Sequence, residues 1–216
     1  LQFHRGTIES EIISLKEYII DNRIGIKKQQ DSFNKMFEEK VKKNPEDTQE
    51  IYEWYEDQHY QYNEFYPATF NNSTLLSLYS FFEFNLKHLC LTIHKHKLYS
   101  IKLDDLSGKN YIEKSKKYLT LVASLDLTDL DLTWQEITKF QQIRNCIVHN
   151  NSNIIKQKDQ PIKNQPLYQI IKNNTNLKLN EEKGTFIISN DQFLLDVTSI
   201  IEKYLVTIIR KLEAEK

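Results

Sequence analysis

The sequence predicts an all-α protein, and three observations predict it. Glycine and proline are scarce, at 4 each in 216 residues, so the turns of a sandwich or barrel have few residues to build them. Apolar residues recur at three- and four-residue spacing over long stretches, the period of a helix packed on one face. The composition, 39% hydrophobic and 27% charged, fits a folded helical chain and excludes a disordered one. The length accommodates one sizeable core with an extension. We read an N-terminal helical extension over residues 1–67 and a single compact helical domain over 68–216.

The elements follow in order. Residues 7–43 place Ile8, Ile12, Leu15 and Ile19 at helical spacing, which predicts a long amphipathic helix broken at Pro45. Residues 46–66 predict a second helix ending at Pro67 and thick with rings: Tyr52, Trp54, Tyr55, Tyr60, Tyr62, Phe65 and Tyr66. Such rings could stack bases. Glu50, Glu53, Glu56, Asp57 and Glu64 are interleaved with them, however, and carboxylates repel a phosphate backbone. Core packing or a protein partner is the reading for these rings.

Helices over about 68–98, 109–124 and 133–149 come next, the last opened by Thr133 and Glu136 in capping-box spacing. The periodicity then stops. Residues 150–176 predict a loop with one helical turn at Leu167 to Ile171, and the alternation after Leu177 predicts a small β-hairpin over 177–188, turning near Lys183 and Gly184. Ser189 and Gln192 repeat the capping spacing before a terminal helix that reaches about Glu213.

Function is most legible in the helix 133–149. At about 100° per residue, Ile137, Ile143, Ile147 and Val148 all fall within roughly 80° of Phe140 and form one stripe. Arg144 falls inside that stripe, while Asn145 and His149 lie on the far side, i,i+4 neighbours within reach of each other. A guanidinium cannot shed its charge. It must run outward along its stem or find acceptors and anions nearby. Glu83, a single acid in the apolar run from Leu75 to Leu91, is a candidate partner for it.

The string Arg144, Asn145, three residues, His149, behind an aromatic-led amphipathic helix and ahead of two asparagines, resembles the signature of HEPN domains. In that family Arg, four to six residues and His mark the ribonuclease subset, and a polar residue directly follows the Arg. The resemblance extends over residues 68–214, with the segment around Arg144 its most specific part. It implies an HEPN-like helical bundle, a homodimer with the motif helices facing, and metal-independent endoribonuclease activity on an RNA substrate. It implies no cofactor. By the resemblance, Arg144 contacts the phosphate, His149 transfers protons and Asn145 orients the histidine or the scissile group. HEPN toxins silenced by a partner nucleotidyltransferase carry a tyrosine two residues after the His, where this chain has Asn151. That route of inhibition is not expected here.

Two other functional classes stay open: a catalytically silent HEPN-like dimerisation or protein-interaction module, and a helical adaptor whose motif is coincidence. A net charge of −1 argues against nucleic acid. Lys109, Lys114, Lys116 and Lys117 on one helix, and Lys156, Lys158, Lys163 and Lys172 after the motif, could supply local positive charge or be solvated faces. His88, Cys90, His94 and His96 invite a metal reading, but only Cys90 and His94 share a face, and two ligands make no zinc site. The two cysteines, Cys90 and Cys146, build no disulfide framework, and no leader or membrane span is evident, so the expectation is a cytoplasmic protein without a membrane partner. A neutralising or sensor protein partner is compatible with this reading.

Overall fold

The computed structural model describes residues 2–154 and 161–214. The chain is all-α apart from one two-stranded sheet. Its helices are α1 (Gln2–Lys43), α2 (Thr48–Tyr60), α3 (Tyr66–Lys97), α4 (Tyr111–Lys117), α5 (Asp131–Asn150), α6 (Pro166–Lys172) and α7 (Gln192–Ala214), with strands β1 (Leu177–Asn180) and β2 (Thr185–Ile188). Among the described residues, no helix is long and apolar enough to cross a membrane.

Proline acts differently at its two early positions. Pro45 follows the end of α1, as its missing N–H and fixed φ require. Pro67 does not end a helix. The chain passes from α2 into α3 through a π-type turn, Gln61–Phe65, closed by the Tyr66 N–H on the Gln61 carbonyl. A wider turn frees the carbonyl that the ring would strike and absorbs the missing donor, so Pro67 sits in the first turn of α3. The boundary read at residue 67 thus falls within helical chain.

The chain divides into two compact units, each assembled from separated segments. The first comprises Leu1–Leu15, Leu75–Asn151 and Asp196–Lys216. Its core is aliphatic and aromatic: Leu78, Phe82, Leu86 and Leu89 from α3, Ile137, Phe140 and Ile143 from α5, and Ile201, Tyr204, Leu205 and Ile208 from α7 are all buried. Tyr204 is its hinge of contacts, with its ring 5.8 Å from that of Phe82 and 5.6 Å from that of Trp134. Ion pairs at its edge join Arg5 to Glu213 at 2.8 Å and Lys211 to Asp129 at 2.9 Å.

The second unit comprises Lys16–Thr74 and Ser152–Leu195. One of its packing centres is Phe33, Phe37 and Ile51, with Val41, Tyr55 and Tyr62 against them. The hairpin lies in this unit, in the register Leu177 opposite Ile188 and Asn180 opposite Thr185. Period-2 alternation buries Leu177, Phe186 and Ile188 and turns Lys178 and Ile187 outward. The Asn180 side-chain oxygen accepts from the N–H groups of Glu182 and Lys183, and Gly184 closes the turn at φ 65°, where a Cβ would be strained. The Asn71 amide donates to the Ile188 carbonyl at 2.8 Å and ties the start of α3 to β2.

Both predicted capping pairs are displaced. Helix α5 begins at Asp131, preceded by a 3-10 turn over Thr128–Leu130, so Thr133 is buried inside the first turn and caps nothing. The local stop is an Asp126 turn, whose carboxylate accepts from the Thr128 N–H and hydroxyl. At α7, Asn190 accepts from the Gln192 N–H, while the Ser189 hydroxyl donates to the Asn176 carbonyl. Asparagine favours such turns as strongly as serine does, and the tertiary neighbour decided between them.

Candidate functional site

Helix α5 carries all three motif residues, and its buried positions are Thr133, Ile137, Phe140, Ile143 and Cys146. The stripe therefore rotates toward Cys146 at its C-terminal end. Ile147 is only partly buried, and Val148, expected within the stripe, is 42% exposed. Packing ceases to cover the last turn, which opens the polar end of the helix.

Arg144 stays in the stripe and is mostly buried. Its guanidinium carbon lies 5.4 Å from the centroid of the Tyr79 ring, a cation–π contact supplied by α3. One terminal nitrogen donates to the side-chain oxygen of Asn145 at 3.0 Å. Its Nε is buried without a hydrogen-bond partner among the described residues. Glu83 does not pair with it: among the described residues no Arg144–Glu83 ion pair forms, and an aromatic face takes the place of the carboxylate. Sequence reasoning missed Tyr79, because a tyrosine in an apolar run reads as core. Its spacing of one helical turn before Glu83 was the only available signal.

Tyr79 is itself buried. Burial pushes its phenol well above the ordinary range, Glu83 pushes the same way, and Arg144 and a hydrogen bond with Gln141 oppose them. The hydroxyl stays protonated through any physiological pH. It is therefore a neutral ring surface for the guanidinium.

Asn145 and His149 are exposed. The expected contact between them does not form, and the Asn145 oxygen accepts from Arg144 instead. Arg144 and His149 lie about 140° apart around the helix and about 7.5 Å apart along it. The helix ends at Asn151, in left-handed conformation at φ 48° and ψ 49°, with its N–H on the Cys146 carbonyl. Asparagine tolerates that conformation where most residues do not. Ser152 follows at φ 60°.

Several of the other candidate groups are engaged elsewhere. The Cys90 thiol donates to the Ser115 carbonyl, and His94 Nδ1 lies 3.2 Å from the Tyr118 hydroxyl. His88 stacks on Phe84. Among the described residues no three His, Cys, Asp or Glu side chains converge as a metal would require. Of the lysines, Lys116 reaches Asp131 and covers the Trp134 ring, Lys117 donates to the Ser107 carbonyl, and Lys172 pairs with Glu181 at 2.6 Å. Lys156 and Lys158 lie outside the described residues. No known protein family, curated protein or solved structure matches the chain.

Proposed function

We propose that the chain is an HEPN-type, metal-independent endoribonuclease, a bacterial toxin or defence effector that cleaves RNA. One observation carries the reading: a mostly buried Arg144, held between the Tyr79 ring and Asn145, sits on the same helix as an exposed His149 at its open C-terminal turn. An arginine so placed is preorganised to meet an anion, and an exposed imidazole can exchange protons near neutral pH.

In the proposed reaction the ribose 2′-hydroxyl attacks the adjacent phosphorus. One His149 takes the 2′ proton, the bond from phosphorus to the 5′-oxygen breaks, and the second His149 of a dimer protonates that oxygen. The products are a 2′,3′-cyclic phosphate and a 5′-hydroxyl. The guanidinium of Arg144 neutralises charge that builds on the phosphoryl oxygens. Two histidines at one phosphate require a two-fold arrangement with facing motif helices, in which both copies share a single cleft. Exposed apolar side chains of the same unit, Phe84, Leu91 and Val148, are available for such an interface.

A catalytically silent HEPN-like dimerisation or interaction module is the second reading. It is favoured by His149 itself, whose ring no described side chain fixes by hydrogen bonding, and by the net charge of −1. The test is RNA cleavage by the purified chain in EDTA, with sedimentation in parallel. Cleavage to cyclic-phosphate ends, abolished in His149→Ala and in Arg144→Lys while dimerisation persists, supports the nuclease; a point charge cannot replace the planar fork. A dimer that leaves RNA intact supports the silent module. Activity that needs Mg²⁺ or survives in His149→Ala overturns the assignment.

A further inference from the structure

We propose that the outer face of α2 is a docking surface for an arginine-rich segment of a protein partner. The rings of this helix read from sequence as core or as partner contacts, and the fold separates the two. Ile51, Tyr55 and Tyr62 pack on Phe33 and Phe37. Tyr52, Trp54 and Tyr60 stay 52%, 77% and 53% exposed, Tyr52 with one side of its ring on Phe37. Exposed rings this close together on one short helix cost hydration free energy in the isolated chain, and aromatic side chains are the commonest anchors of protein interfaces.

The surface is concave and its carboxylates outnumber the one histidine, His59, that shares the lining. A hollow of ≈ 460 Å³ runs along α2 into the π-type turn, with the rings of Phe37, Tyr52 and Tyr60 beside the carboxylates of Glu53, Glu56 and Glu64. Among the described residues no lysine or arginine lines it. Positions 52, 56, 60 and 64 recur at four-residue steps and position 53 stands three before 56, so one side of the helix presents them together. Tyr52 is fixed there by the Phe37 ring beneath it, at 4.9 Å and 78°.

That combination selects the occupant. Carboxylates exclude a phosphate backbone and attract cations. Aromatic faces prefer a guanidinium, which stacks flat while its edge pairs with a carboxylate. The chain already seats a cation on this segment: the Lys40 ammonium lies 4.7 Å from the Tyr55 ring centroid. Trp54, on the neighbouring side of α2 above a second hollow of ≈ 260 Å³, offers an apolar anchor next to the charged groove. A short helix with arginines on one side and an apolar residue at its edge satisfies both features.

The test titrates the full chain into a fluorescein-labelled arginine-rich helical peptide and follows anisotropy. An acidic peptide of equal length and a single-stranded RNA serve as competing probes. Saturable binding of the arginine peptide alone is expected, weakened about tenfold between about 0.05 M and about 0.3 M salt. Glu53→Lys with Glu56→Lys should weaken it by about tenfold or more, and so should Tyr52→Ala with Tyr60→Ala, which leaves the charge unaltered. The same charge reversal at exposed Glu11 and Glu17 should leave binding unchanged. Circular dichroism checks that each variant keeps its helicity. The proposal is overturned by absence of binding, by equal loss in the Glu11 and Glu17 variant, by no loss in the tyrosine variant, or by tighter binding of the RNA. Self-association of the parent chain that the Glu53 and Glu56 reversal abolishes would also overturn it, and would assign the face to a second copy.

Discussion

Helix α5 sinks an arginine into its apolar stripe, whereas helix α2 leaves tyrosine and tryptophan rings in solvent. Each departs from the usual partition of polar and apolar residues. In α5 the buried charge is tolerated because Tyr79 offers a π-face and Asn145 an acceptor. Ile51 and Tyr55 of α2, with Tyr62 of the turn that follows, pack on Phe33 and Phe37 of α1, while Tyr52, Trp54 and Tyr60 keep half or more of their surface in solvent. Helical spacing sets which residues share a face. It does not set which faces find cover. The two departures are accordingly where function is proposed, one for chemistry and one for recognition.

The comparison can be broken most forcefully by truncating one ring in each unit. Phe82→Ala, at a fully buried ring packed on Tyr204, should lower unfolding free energy by about 3–5 kcal/mol in urea titration. A loss below about 1 kcal/mol would mean that the α3 stripe is not the core it resembles. Next in size is the end of α5. Asn151→Ala keeps a Cβ at φ 48° and removes the side chain that eases it, so a loss of about 1 kcal/mol is expected. Asn151→Gly should stay within a few tenths of the parent. Equal effects of the two would show that this cap is not what ends the helix.

Arg144→Met sharpens the contrast because its sign is opposite. The substitution removes a buried Nε without a partner and keeps a flexible side chain on the Tyr79 ring, so stability should rise by about 1 kcal/mol. RNA cleavage should vanish in the same variant. A fall in stability would mean that the cation–π contact outweighs desolvation. Alkaline pH probes the same unit. Burial pushes the Cys90 thiol from 9.0 up to about 12, so the folded state keeps a proton that the unfolded chain releases. Stability from this thiol is intact below pH 9.0 and is lost as pH rises toward about 12. The loss should be under about 1 kcal/mol by pH 9.5 and should be absent in Cys90→Ala. The smallest effect is expected outside the core: Trp54→Ala, at a ring 77% exposed, should change stability by no more than about 0.5 kcal/mol. A larger loss would make that ring part of the fold and withdraw it from recognition.

Much of this architecture was legible in advance, for identifiable reasons. The terminal helix, the hairpin and the helix around Arg144 each rest on a local period that the backbone geometry imposes. The burial of Arg144 followed from that same period. The misreadings have other causes. Pro67 was tolerated by a π-type turn, Thr133 was drawn into the helix it was expected to cap, and Val148 was left uncovered. The first two turned on local departures from the α-helical period, a π-type and a 3-10 turn, and the third on what lay across the interface; a regular spacing pattern is blind to all three.

The sequence by itself determined the helical class, the two-residue period of the hairpin, and the placement of Arg144, Asn145 and His149 on one helix, because these follow from the spacing of side chains along a regular backbone. Only the tertiary structure decided that Tyr79 and not Glu83 receives the guanidinium, and that Tyr52, Trp54 and Tyr60 of α2 face solvent while Tyr55 packs inward. Those choices are made by segments distant in sequence, whose approach satisfies or strands each polar group and covers or exposes each ring.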